Sequence, residues 1–206
     1  MTLGQPSKIV CVGRNYAAHA RELGNEVPKQ PLLFFKPPSS LIGQGDAIVL
    51  PKASQQVEYE AEIAIVIGKR ARKVGAREAM AYVRGFACAN DVSARDLQKT
   101  DGQWGRAKGF DTFCAVGPVA EGLDWATLEV IGRLNGEERQ HGYTRDMVFT
   151  IPTLIDYISH VMTLEAGDLI LTGTPEGVGK LSAGDTIEVE IPGIGVLRNS
   201  VVEEAT

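Results

Sequence analysis

Residues 58–68 read Glu58-Tyr59-Glu60-Ala61-Glu62-Ile63-Ala64-Ile65-Val66-Ile67-Gly68, and their alternation decides the fold class. Successive side chains of an extended chain point to opposite faces, so Glu60 and Glu62 share a face, with Glu58 before them and Ala64 and Val66 after. That face changes from carboxylate to apolar within one step, which predicts a strand entering the core with acidic groups at its mouth. Two part-buried carboxylates at this spacing repel each other unless a proton or a cation neutralises them. An exposed edge strand with solvated glutamates also accounts for the pair. Asp91 shifts the balance, because it follows the run Gly85-Phe86-Ala87-Cys88-Ala89-Asn90 and so falls at a second strand end. Three carboxylates without a Cys/His cluster suit a hard ion such as Mg2+, which keeps waters for a substrate to displace, and do not resemble a closed zinc site.

Further β-like runs flank this segment: KIVCV from Lys8, LLFFK ending at Lys36, DLILTG from Asp168 and DTIEVEI from Asp185. Asn135-Gly136 follows the alternating Leu128, Val130 and Leu134, and this dipeptide tolerates the positive φ angles of a tight hairpin. Helical periodicity is clearest over residues 151–162, where Ile151, Leu154, Ile155 and Ile158 fall at helical spacing around Pro152. A short helix is expected over 77–83, and another over 15–23 with Asn15 as N-cap and Gly24 as stop. The expected class is therefore β-rich α+β with a few peripheral helices.

The 206 residues, 44% of them hydrophobic, suffice for one well-buried core. No repeat, low-complexity tract or polar linker divides them, so a single domain over 1–206 is expected. No run approaches the roughly 18 apolar residues of a membrane span, and the N-terminus lacks the features of a secretory signal. A cytoplasmic protein with no membrane partner is the expectation. Cys11, Cys88 and Cys114 are odd in number, far apart and in apolar surroundings, as inert core thiols are. A net charge of −5 argues against nucleic acid as a partner and leaves room for a small anionic substrate where basic residues converge.

Seven motifs, in this order, resemble the fumarylacetoacetate hydrolase family: KIVCVGRNYAAHARELG, FFKPPSSLIGQGD, YEAEIAIVIGK, ANDVSARDLQ, AKGFDTFCAVGP, NGEERQ and LTGTPEGVG. The resemblance covers almost the whole chain and implies the mixed β-roll or sandwich of that family's catalytic domain, in its short single-domain branch and usually as a homodimer. It also implies a Mg2+ or Mn2+ site formed by Glu60, Glu62 and Asp91, the residues that the strand pattern selects.

His19 and Glu22 lie three apart on the expected helix and can meet on one face, where Glu22 would orient His19 and His19 would take a proton from water. Two exposed helix residues give the same spacing. The resemblance favours the first reading, in which the segment of about 15–26 is a mobile lid carrying a catalytic dyad. Lys108 matches the family's active-site lysine; without the resemblance it reads equally as a surface charge near a turn. Arg95 and Gln98 match residues that meet the substrate or support the metal ligands, although Arg95 can instead pair with Asp96 or another carboxylate. Thr174 matches the glycine-rich loop that faces the substrate carboxylate. Arg14 and Tyr16 can supplement anion binding near the lid, or serve as a strand-end charge and a packed ring. His141 and His160 fall in no matching catalytic motif and read as structural or exposed.

A Lewis acid contacting a 2-oxo acid through its carboxylate and keto oxygen can stabilise the enolate formed when the adjacent carbon-carbon bond breaks. The expected function is a hydrolase cleaving acylpyruvate, fumarylpyruvate or maleylpyruvate to pyruvate and a carboxylic acid, with oxaloacetate decarboxylation within reach of the same chemistry. An isomerase of 2-hydroxyhepta-2,4-diene-1,7-dioate is the alternative, because Glu58-Tyr59-Glu60-Ala61-Glu62 departs from the His-His-Glu-x-Glu of some acylpyruvase-like relatives. His19-x-x-Glu22 favours hydrolysis over it. A metal-stabilised binding protein without turnover is the alternative of a different class.

Overall fold

The computed structural model describes residues 4–205. The strands are β1 (Ile9–Gly13), β2 (Leu32–Lys36), β3 (Leu41–Ile42), β4 (Ala47–Leu50), β5 (Val57–Tyr59), β6 (Ala61–Ile67), β7 (Val83–Asp91) and β8 (Ser93–Ala94). They continue with β9 (Cys114–Val116), β10 (Glu129–Leu134), β11 (Glu137–Tyr143), β12 (Leu169–Leu171), β13 (Gly179–Lys180), β14 (Thr186–Ile191) and β15 (Gly195–Glu203). The helices are α1 (Ala17–Glu22), α2 (Arg95–Thr100), α3 (Gly105–Gly109) and α4 (Ile151–Val161).

The strands form a seven-stranded mixed sheet in the order β2-β1-β12-β6-β7-β9-β3, a five-stranded sheet β11-β10-β14-β15-β4 and a small sheet β13-β5-β8. This is the β-rich architecture that the sequence pattern implied, curled as the family resemblance implied. β6 lies at the centre of the large sheet, and all seven of its residues are buried. Ile63, Ile65 and Ile67 pack with Val189 and Ile191 of the five-stranded sheet and with the apolar stripe of α4, Ile151, Leu154, Ile155 and Ile158. Ala64 and Val66 face the other way, onto Ile9, Cys11, Ala87, Ala89 and Leu171. Each fully buried Val, Leu or Ile among them contributes roughly 1.5–3 kcal/mol.

α4 and the 135–136 hairpin follow their sequence signals: Thr150 caps the helix through Thr153 N–H, and Asn135 and Gly136 have φ of 54° and 83°. Two helices are shorter than expected. Over 77–83 only a 3-10 turn, Ala79–Tyr82, forms, and within it only Ala79 is buried, so no apolar stripe stabilises a longer helix. Asn15 does not cap α1. Its buried amide donates to Phe149 O at 3.1 Å and Thr172 O at 2.8 Å and accepts from Phe149 N–H, cross-linking three segments; Tyr16 is the N-cap, without a side-chain bond. Gly24 ends the segment at φ 69°.

The antiparallel register of β6 and β7 sets the position of the site. Ala61 pairs with Asn90 and Glu62 with Ala89, so the start of one strand meets the end of the other. Glu60 interrupts the chain between β5 and β6; its N–H donates to Asn90 Oδ1 at 2.9 Å and its carbonyl accepts from Asp91 N–H at 2.9 Å. Residues 60, 62 and 91 are thereby drawn to one sheet end.

Candidate metal centre and substrate cavity

Glu60, Glu62 and Asp91 are all buried, and one oxygen of each lies within 4.8 Å of the others. Cations surround two of them. Lys108 Nζ donates to Glu60 Oε2 at 2.6 Å and Asp91 Oδ2 at 2.9 Å, and Lys36 Nζ donates to Asp91 Oδ1 at 2.5 Å and Val92 O at 3.0 Å. Arg95 bridges Glu58 Oε2 at 2.9 Å and Glu60 Oε1 at 2.7 Å, and its remaining arm reaches Gln98 Oε1 at 2.6 Å. Arg95 thus pairs with the glutamates rather than with Asp96, which is occupied by Ser54 and the backbone.

Four buried carboxylates therefore face three buried cations, Lys36, Arg95 and Lys108. Glu62 is the unmatched one: among the described residues its hydrogen-bond donor is Gly173 N–H at 2.8 Å, and it has no salt bridge. Burial, Asp91 and Glu60 together push its carboxyl well above the usual range. Glu60 moves the opposite way, because Lys108, Arg95 and His19 outweigh the burial that would raise it. Burial alone would lower Lys108, but Asp91 and Glu60 hold it above the ordinary lysine value. A buried oxygen triad whose third carboxyl has no cation beside it, and so ionises only against a penalty, fits a hard divalent cation on Glu60, Glu62 and Asp91.

Glu60 and Glu62 of the triad border a cavity of about 280 Å3. His19, 4% exposed, borders it, with Nδ1 3.1 Å from Glu22 Oε2; the other Glu22 oxygen accepts from Gly177 N–H at 2.9 Å. The dyad spacing on α1 is thus realised as a contact facing the carboxylates. Phe34 and Trp104 meet edge to face at 5.2 Å on another wall, and Arg14 places its guanidinium 5.9 Å from the Trp104 ring centre.

Arg14, Arg95, Gln98, Lys108 and Thr174 all border this cavity. Tyr16 does not. Its ring is packed in the core, its backbone is bridged to Met147, and its buried hydroxyl has no hydrogen-bond partner among the described residues, so the packed-ring alternative describes it. The Thr174 hydroxyl is used within the protein, donating to Ala61 O at 2.9 Å and accepting from Gln140 at 2.7 Å. His141 and His160 lie away from the cavity and pair with Glu129, Glu138 and Asp156. The three cysteines are buried and free, and burial raises their thiols, Cys88 to about 11 and Cys114 to about 12.

Two functional residues escaped the sequence pattern. Lys36 closes an apolar strand where a lysine ordinarily snorkels to water, yet it is 1% exposed; a lysine between LLFF and Pro37-Pro38 was the available signal. Gln140 lies in the NGEERQ hairpin among exposed residues, and only tertiary packing shows that it is buried.

The fold and site define a curled β-sheet protein with an internal cluster of three carboxylates that fits a hard cation. Residues 8–202 match the family model described as fumarylacetoacetate (FAA) hydrolase C-terminal, and the chain belongs to the fumarylacetoacetate hydrolase family of enzymes. It is 48% identical to the mitochondrial oxaloacetate tautomerase FAHD1 of Arabidopsis thaliana, over 96% of this chain and 92% of that protein. The structure of 2-hydroxyhepta-2,4-diene-1,7-dioate isomerase from Mycobacterium marinum superposes with a TM-score of 0.91 at 45% identity, covering 98% of this chain and 77% of that one. Fumarylpyruvate hydrolase from Pseudomonas aeruginosa, solved with Mn2+ and pyruvate, gives a TM-score of 0.91 at 31% identity, covering 97% and 91%. Among the described residues no helix is long and apolar enough to cross a membrane.

Proposed function

We propose that this protein is a metal-dependent enzyme of small 2-oxo acids that transfers a proton at the carbon next to the 2-oxo group, with oxaloacetate keto-enol tautomerisation as its reaction. The observation that carries this reading is that His19, held by Glu22, borders the same cavity as Glu60 and Glu62 of the carboxylate triad. A divalent cation held by Glu60, Glu62 and Asp91 would supply Lewis-acid stabilisation of the negative charge that develops on the 2-oxo oxygen. Glu22 holds His19 Nδ1, leaving Nε2 to exchange a proton with the substrate carbon. Lys108 spends two N–H groups on Glu60 and Asp91, and its third is available to the substrate oxygen. Arg14 supplies positive charge on the cavity wall for a substrate carboxylate. The similarity to the Arabidopsis tautomerase over nearly its full length supports this choice.

Hydrolysis of an acylpyruvate is the second reading, favoured by the same dyad. His19 takes a proton from water, the water oxygen adds to the distal carbonyl, the carbon-carbon bond breaks toward the 2-oxo acid, and the resulting pyruvate carbon takes a proton. The reading includes Mg2+ as the ion with Mn2+ as a substitute, a single catalytic domain, a homodimer, a mobile 15–26 segment and a cytoplasmic location.

The test uses protein stripped with EDTA and reloaded with Mg2+ or Mn2+. Loss of enol-oxaloacetate is followed by its ultraviolet absorbance, and products from acetylpyruvate, fumarylpyruvate and oxaloacetate are identified by NMR. Metal-dependent enol loss that His19→Asn abolishes is expected. No metal-dependent conversion of any of these acids would leave a binding protein as the better description.

A further inference from the structure

Gln140 is 1% exposed, although Glu137, Glu138, Arg139 and His141 on the same strand face solvent. Strand alternation places it on the buried face with Gly142, between exposed Arg139 and His141. A β-bulge follows at once: Gly132 pairs with Gln140 and Arg133 with Glu138, so Arg139 is an extra residue in β11 and Glu138 is left on the solvent side. All three hydrogen bonds made by its amide go to the site. Oε1 accepts from Ala61 N–H at 2.8 Å, and Nε2 donates to Thr174 Oγ1 and to Pro175 O, each at 2.7 Å. Thr174 Oγ1 in turn donates to Ala61 O at 2.9 Å.

Ala61 separates Glu60 from Glu62, so both its backbone groups are held by this one small network. The loop that Gln140 grips touches the site twice more: Gly173 N–H bonds Glu62, and Gly177 N–H bonds Glu22. The bulge and the loop are matched in shape, because a Cβ on Gly177 would lie 1.9 Å from Arg139 O. We infer that Gln140 is a positioning residue that locks the Glu60-Ala61-Glu62 backbone to the 173–177 loop and so fixes the metal ligands in register with the His19–Glu22 dyad.

This inference rests on the proposed metal centre, and the test separates the two. Mn2+ binding is titrated by electron paramagnetic resonance on the full chain, for wild type, Gln140→Met, Thr174→Val, Thr174→Ser and Asn199→Leu. Asn199 is a control outside the site, a buried amide donating to Gly43 O and Asp46 O. Gln140→Met is expected to weaken Mn2+ roughly tenfold, as loss of an outer-shell partner does. Thr174→Val should weaken it in the same direction, Thr174→Ser should restore it, and the Gln140 and Thr174 losses should be non-additive when combined. Asn199→Leu should lower Tm without moving Mn2+ affinity. Wild-type affinity in Gln140→Met, or an equal loss in Asn199→Leu, overturns the positioning role. If Gln140→Met does not fold, Thr174→Val and Thr174→Ser decide the question, since equal affinity in both refutes the network. Failure of wild type to bind Mn2+ at all overturns the metal centre beneath it.

Discussion

Replacing Glu62 by Gln should stabilise the metal-free protein and remove its response to metal. Glu62 has no salt bridge, and its oxygen lies within 4.8 Å of oxygens of Glu60 and Asp91. At an effective dielectric of about 20, a like-charge pair at that distance costs roughly 3 kcal/mol. Lys108, already bonded to the other two carboxylates, offsets part of this, and the raised Glu62 carboxyl escapes more of it by keeping its proton, so Glu62→Gln should stabilise by at most about 2 kcal/mol, the gain growing as pH rises and the wild-type carboxyl ionises. Gln keeps an acceptor for Gly173 N–H, so that hydrogen bond is not lost. For a chain of this size the full gain corresponds to about 4–8 °C in Tm. Metal acts in the opposite sense, since saturation at about 100 times Kd stabilises the wild type by roughly 2.7 kcal/mol. Thermal unfolding in EDTA should therefore rank Glu62→Gln above wild type, while excess Mg2+ or Mn2+ should lift only the wild type. A variant less stable than wild type in EDTA, or one that gains as much from metal, would refute the charge count.

Three further outcomes follow from the same contacts. His19→Asn should reduce turnover about 100-fold or more while leaving Mn2+ affinity unchanged, read by steady-state kinetics beside the resonance titration. Lys36→Met should destabilise by about 3 kcal/mol in urea unfolding, because it leaves the fully buried Asp91 with Lys108 as its remaining ammonium partner; an unchanged midpoint would show that the Lys36 contact is dispensable. Asp168, also fully buried, accepts from Ser7, Lys8 and Glu165, joining the approach to β1 to the approach to β12. Burial would raise its pKa, but these bonds hold it below the ordinary aspartate value. A depressed folded pKa contributes stability that is complete above the unfolded value near about 3.9 and is lost as pH falls through the folded one. Asp168→Asn should accordingly cost about 2 kcal/mol at pH 7, with the gap closing in acid; a gap independent of pH down to the acid transition would exclude the carboxylate as its source.

The local period of the chain was enough to identify several of its main elements. Alternation over 58–68 marked the central strand and the acidic pair, Asn135-Gly136 marked a hairpin, and Ile151, Leu154, Ile155 and Ile158 marked a helix face. These signals are local because side-chain direction repeats every two residues in a strand and about every 3.6 in a helix. Asn15 was misread as a helix cap for the complementary reason: the same amide that caps a helix also satisfies distant backbone groups, and its partners, Phe149 and Thr172, lie far along the chain.

What the amino-acid order determined by itself was the presence of three carboxylates at strand ends and a His-x-x-Glu pair, together with the family motifs that tied them to one site. Tertiary structure alone decided how those charges are compensated. The β6–β7 register brings Asp91 beside Glu60, Lys36 and Lys108 arrive from other elements, and Gln140 of β11 reaches Ala61 and the 173–177 loop. Whether a lysine snorkels to water or is buried against a carboxylate depends on partners distant in sequence, and electrostatic energy depends on distances that periodicity does not encode. The unmatched Glu62, on which the case for a cation rests, is therefore a property of the folded molecule.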